Sequence, residues 1–120
     1  MDTREIVQAY FQAWTSGNIA QARSYLADDL KFAGPIDHFD KADDFARALE
    51  SFIRIVTKVR LIAEFYTDTE AMLLYDVETP TPAETIRTAE HFVVSGGRIR
   101  KIDLVFDATR LRAMMAGGAS

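Results

Sequence analysis

The chain has 120 residues, 48% of them hydrophobic, a formal net charge of −4 and no cysteine. That length and apolar content suit one packed domain spanning residues 1–120 and exclude a disordered chain. The acidic balance argues against a nucleic-acid partner, the missing cysteines exclude disulfides and thiolate chemistry, and no apolar run approaches membrane-spanning length.

The start, Met1-Asp2-Thr3-Arg4-Glu5, is too charged for a signal peptide, so a cytoplasmic protein without membrane association is expected. A first helix is predicted over Thr3 to Ser16, capped by Asp2 or Thr3 and stopped by Gly17-Asn18. Its apolar stripe is Ile6, Val7, Tyr10, Phe11, Ala13 and Trp14. A short helix, Ile19 to Leu26, follows, then a short strand, Leu30 to Phe32. Gly34-Pro35 breaks that strand, and an extended piece, Ile36 to Phe39, leads to a helix over Lys41 to Val56 with Asp40 as its cap. Four long antiparallel strands come next: Val59 to Tyr66, Ala71 to Thr79, Thr85 to Val94 and Arg98 to Phe106. Pro80-Thr81-Pro82 forces a loop, and Ser95-Gly96-Gly97 makes a hairpin turn. The core spans about residues 3–107; a helix over Ala108 to Ala116 and a flexible Gly-Gly-Ala-Ser tail close the chain. Helices first and strands second is an α+β order, and a sheet curled over helices leaves a cone whose open end is a natural pocket.

The third long strand carries the residue that matters most. Side chains alternate along a strand, so Ile86, Thr88, Glu90, Phe92 and Val94 share one face, and Thr85, Arg87, Ala89, His91 and Val93 the other. The first face is the more apolar and reads as interior, with Glu90 in its middle. A carboxylate there raises its pKa or finds donors. Such residues concentrate at functional sites, and a structural hydrogen bond gives the same pattern. On the second long strand, Leu73, Tyr75, Val77 and Thr79 face inward, while Met72, Leu74, Asp76 and Glu78 face out.

Familiar motifs are missing. There is no phosphate loop, dinucleotide fingerprint or nucleophile elbow. His38 and His91 form no i, i+4 pair, and Asp37, Asp40, Asp43 and Asp44 lack calcium-loop spacing, so no metal and no cofactor is expected.

Four segments, in order and spacing, carry a resemblance: Val7-Gln8-Ala9-Tyr10 with Ser16-Gly17-Asn18; Leu26-Ala27-Asp28-Asp29 with Phe32 and Gly34-Pro35; Glu90-His91-Phe92; and Ile102-Asp103-Leu104-Val105-Phe106. Together they resemble the nuclear transport factor 2-like superfamily, in its SnoaL-like and ketosteroid-isomerase-like branch. The resemblance implies a curved antiparallel sheet wrapped around N-terminal helices, a conical cavity and commonly a homodimer. In ketosteroid isomerase a Tyr of the first helix and a protonated Asp of the third long strand form the oxyanion hole, and a separate Asp is the base. By position Tyr10 takes the place of that Tyr, Glu90 that of the protonated acid, and Gly34 that of the base.

The resemblance therefore implies a small apolar carbonyl compound (steroid, polyketide or terpenoid type) as ligand, and a cofactor-independent isomerase, cyclase or hydrolase. A non-catalytic binding module or interaction domain of the same fold is the alternative. Tyr10 and Glu90 are the catalytic candidates. His38 joins them as a base, because unbroken alternation would put Gly34, Ile36 and His38 on one face and point Asp37 outward; the alternative is Glu90 itself as base with Tyr10 as acid. Trp14, Phe52, Tyr75, Thr88, Phe92, Leu104 and Phe106 are the candidate ligand contacts. The Asp-Arg-Asp set of epoxide hydrolases of this fold finds no match, since Arg87 lies on the strand face opposite Glu90. Met72, Leu74, Ile62, Ala89 and Val105 on the outer sheet face suit a sheet-to-sheet homodimer.

Overall fold

A computed structural model describes residues 1–80 and 84–118. Helix α1, Thr3–Thr15, opens on a capping box: the Asp2 carboxylate accepts from the Glu5 N–H, and Glu5 reaches back to the Asp2 N–H. Ile6, Val7, Tyr10, Ala13 and Trp14 form its buried face. Helix α2, Ile19–Arg23, is shorter than its pattern suggests. Leu26 leaves it to open strand β1, Leu26–Ala33, which is much longer than the expected Leu30 to Phe32. The cause is a partner far away in sequence. β1 lies parallel to β6, Arg98–Phe106, with Leu26 beside Ile99 and Phe32 beside Ile102. A register shift between Leu26 and Lys31 lets Asp28 and Asp29 stay exposed.

Strand β2, His38–Phe39, folds back on β1, and helix α3, Ala42–Ile53, follows. Its N-cap is Lys41, with no side-chain cap; the expected cap, Asp40, instead lies 3.5 Å from the Lys31 ammonium. α3 stops three residues short of Val56. Ile55 and Val56 turn tightly onto the carbonyls of Phe52 and Ile53, and the Thr57 N–H is taken by the Glu78 carbonyl at the sheet.

Strands β3 (Lys58–Tyr66), β4 (Glu70–Glu78), β5 (Thr85–Ser95) and β6 pair antiparallel, giving the six-stranded order β2-β1-β6-β5-β4-β3. The interior face of β5 is as expected: Ile86, Thr88, Glu90, Phe92 and Val94 are all buried. β3 departs from simple alternation. A bulge at Ile62 puts Leu61 opposite Tyr75 but Ala63 opposite Leu74, so Glu64 and Tyr66 take the inner register and Phe65 turns outward, 68% exposed. Asp76 keeps the outward register expected of it. It faces outward, yet its side chain is only 6% exposed, because Arg87 (2.5 and 3.1 Å) and Arg60 (3.2 Å) close over it.

The C-terminal helix α4 runs Thr109–Gly118, two residues past the expected Ala116. The Asp107 carboxylate accepts from the Thr109 N–H and hydroxyl at its start. Residues 81–83 of the proline loop and residues 119–120 of the expected tail lie outside the described residues. Among the described residues, no helix is long and apolar enough to cross a membrane.

Candidate functional site

The concave side of the sheet and the faces of α1, α3 and α4 enclose a cavity of about 370 Å³. It lies within the usual range for small-molecule sites. Its walls are apolar: Phe32 and Phe39 from β1 and β2, Phe45, Leu49 and Phe52 from α3, Leu104 and Phe106 from β6, Leu111, Met114 and Met115 from α4. Among the described residues, no Lys, Arg or His lines it. A larger surface depression of about 810 Å³, beside Met1–Arg4 and Gly96–Gly97, holds neither Tyr10 nor Glu90.

Glu90 lies at the deep side of this cavity, 3% exposed, between Leu73 of β4 and Leu104 of β6 in the sheet register. Tyr75 is two residues from Leu73 on the same face, which brings its ring to Glu90's side chain. Its hydroxyl donates to Glu90 Oε1 at 3.0 Å. Tyr10 reaches the same place from α1, held edge-on against Phe92 at a centroid distance of 5.8 Å. Tyr10 also lines the cavity, and its hydroxyl makes no hydrogen bond among the described residues. Phe11 and Trp14 pack on Tyr75 at 5.1 and 5.9 Å, so the polar cluster sits in an aromatic collar. The Trp14 indole N–H has no hydrogen-bond partner among the described residues.

Burial without a cation sets the electrostatics. It pushes the Glu90 carboxyl from its ordinary 4.5 up to about 8, with the Tyr75 hydrogen bond pulling it part of the way back. Tyr10 and Tyr75 are raised well above the usual phenol range, by burial first and by Glu90's charge second. At neutral pH Glu90 is thus mostly a neutral acid. Tyr75 occupies Oε1, which leaves Oε2 to carry the proton. Tyr10, Tyr75 and Glu90 thus form one polar cluster on the lining of a largely apolar space.

Of the residues expected at the site, Tyr10, Glu90, Trp14, Phe52, Tyr75, Thr88, Leu104 and Phe106 all line the cavity. Phe92 does not. It is fully buried beneath Tyr10, a packing residue of the core. His38 does not either. The chain reverses at Gly34–Asp37, so alternation does not run straight through. The ladder pairs Phe32 with Phe39 on the cavity side and Ala33 with His38 on the other, where His38 is exposed. The same reversal brings Asp37, expected to point outward, onto the cavity lining beside Gly34. Asp37, Ser51, Met114 and Met115 were not legible as lining residues, since only the hairpin and the docking of α4 put them there.

A profile of the SnoaL-like domain matches residues 7–102, and the chain belongs to that family. Among solved structures it is similar to a protein from Kribbella flavida DSM 17836 at 32% identity, with 97% of this chain and 96% of that one covered and a TM-score of 0.86. It is similar in fold to a provisionally named polyketide cyclase from Sinorhizobium meliloti (15% identity, 83% and 93% covered, TM-score 0.75). A provisionally named ketosteroid isomerase from Kribbella flavida shares the fold at 13% identity (88% and 77% covered, TM-score 0.78). Among curated proteins no sequence match is found. The architecture is the nuclear transport factor 2-like, cystatin-like one, α+β with a curved six-stranded sheet.

Proposed function

We propose that this protein binds a small apolar carbonyl compound, of steroid, polyketide or terpenoid type, with the carbonyl oxygen held between Tyr10 and Glu90. The observation that carries this reading is the buried Tyr75–Glu90 hydrogen bond beside Tyr10 at one end of an apolar cavity. A neutral acid and a phenol aimed at a carbonyl stabilise the oxyanion that forms when a neighbouring carbon loses a proton. The reaction class is cofactor-independent isomerisation or cyclisation. Trp14, Phe52, Thr88, Leu104 and Phe106 supply the walls, and Tyr75 orients Glu90.

The test uses 2-naphthol, a fused-ring phenol whose oxygen mimics the enol. Its fluorescence titration into the protein is expected to show binding at least tenfold tighter than naphthalene, a difference lost in Tyr10→Phe. Equal affinity for both compounds, or an unaffected Tyr10→Phe, refutes the assignment.

A second reading, a non-catalytic binder, is favoured by Gly34 at the position where the resemblance expects a base. It predicts ligand-induced thermal stabilisation with no conversion of any bound ketone.

We also propose a homodimer through the outer sheet face. Ala63, Leu74, Ala89 and Val105 are successive partners across β3 to β6 and make one apolar row. Arg60 and Arg87 flank one side of it, His91 and Asp103 the other. A two-fold axis along that row sets the arginine side of one sheet over the acidic side of its copy.

A further inference from the structure

Gly34 offers no base, but the hairpin that contains it does. β1 and β2 are joined by a tight reversal in which Phe32 pairs with Phe39 and Ala33 with His38. The Gly34 N–H donates to the Asp37 carbonyl at 2.9 Å, which continues the ladder by one more pair. Residues opposite each other in an antiparallel pair point to the same face, with Cβ atoms roughly 4.5–5.5 Å apart. Phe32 and Phe39 mark that face as the cavity side, since both line it. Two residues on, Gly34 and Asp37 face the same way, and both line it too.

Asp37 and Glu90 are the only two carboxylates of the lining among the described residues. They differ in every respect that matters. Glu90 is buried and bound to Tyr75, whereas Asp37 is exposed and its side chain has no ion pair or hydrogen bond among the described residues. One carboxylate of the lining is buried and hydrogen-bonded, and the other is exposed and free. A side chain at Gly34 itself would be crowded. Its Cβ would stand 3.3 Å from the Phe32 ring.

We propose that Asp37 is the general base of this cavity, acting from across the hairpin on the carbon next to a carbonyl held by Tyr10 and Glu90. This rests on the carbonyl-binding reading above. In the step, the C–H bond breaks and its proton goes to an Asp37 carboxylate oxygen. The C–H electron pair becomes the new C=C bond, and the carbonyl π pair moves onto the oxygen, where Tyr10 and Glu90 donate to it. Asp37 then returns a proton to carbon, at the same position or further along the enolate, and is regenerated. Because Asp37 is exposed, the proton it returns is partly exchanged with solvent.

That exchange is the test. 2-Tetralone has a ketone on two fused rings and an acidic C–H beside it. In D₂O, proton NMR follows replacement of that hydrogen with the full chain present. Wild-type protein is expected to accelerate exchange over buffer, Asp37→Asn to lower the protein-dependent rate at least about 10²-fold, and Asp37→Glu to restore part of it. Naphthol affinity and the thermal midpoint stay unchanged in Asp37→Asn, since the side chain anchors nothing. An Asp37→Asn protein that exchanges at the wild-type rate overturns the proposal, and so does a wild-type protein that binds naphthol through Tyr10 without promoting exchange. Failure of the carbonyl reading looks different: naphthol binding is then indifferent to Tyr10→Phe.

Discussion

Replacing Glu90 with Gln should change how stability depends on pH, and the size of the change follows from burial. The native carboxyl titrates near 8 and the ordinary value is 4.5. Between those limits the native state holds a proton that the unfolded state has released. A state that binds more protons is favoured at low pH, so this contribution is complete below about 4.5 and is lost as pH rises to 8. At about 1.4 kcal/mol per pH unit, wild type should lose about 4 kcal/mol between pH 5 and pH 9 from this group alone. That is a large share of the 5–15 kcal/mol that holds a typical domain. Gln keeps an oxygen for the Tyr75 hydroxyl and does not titrate in this range. Urea unfolding, followed by the fluorescence of the single tryptophan, Trp14, measures both proteins at pH 5, 7 and 9. The wild-type curve should fall away from the Glu90→Gln curve with rising pH. Two parallel curves would refute the reasoning, because Glu90 would then titrate alike in the folded and unfolded chains.

Tyr75→Phe removes the hydrogen bond that favours the charged carboxyl, so the wild-type alkaline loss should move to higher pH, read by the same titration. Asp76 behaves oppositely. Its hydrogen bonds from Arg87 and Arg60 hold its carboxyl below the usual range, so its contribution is present at neutral pH and lost as pH falls through that lowered value. Asp76→Asn should therefore flatten the acid side of the stability curve, measured by urea unfolding between pH 2 and 6. Val105→Glu puts a charge into the apolar row of the outer sheet, and sedimentation should show the proposed dimer shifting to monomer; a wild-type protein that is monomeric at every concentration refutes that interface. Asp2→Ala removes the α1 cap and should cost about 1 kcal/mol in chemical unfolding.

Glu90 was legible from sequence because period-two alternation holds along the whole of β5, and the same holds for Tyr75 on β4. Tyr10 followed from the helical stripe of α1 and from the family resemblance. Asp37 was not legible, because alternation read straight through Gly34-Pro35 ignores that the chain reverses there; across the turn, residues opposite each other share a face, and counting by twos through the turn fails. Phe65 turns outward for a related reason. One extra residue at Ile62 inverts the faces of the rest of β3, and no residue type announces that bulge. Asp76 was placed on the correct face, but its burial depends on two arginines from neighbouring strands. Phe92 was inward as expected, and only the position of Tyr10 decides that it packs the core instead of lining the cavity.

The parallel pairing of β1 with β6 has a consequence for how the chain is made. Strand Leu26–Ala33 sits inside the sheet, yet its neighbour on one side is Arg98–Phe106, about 70 residues later. At a synthesis rate of about 5–20 residues per second, the early strand waits on the order of 4–14 seconds before its partner exists. Leu26, Leu30 and Phe32, all buried in the finished fold, have no β6 to close against during that time. The β1–β2 hairpin that presents Asp37 is thus made first and fixed in place last. The synthesis of β6, more than any local propensity, times the completion of the cavity wall.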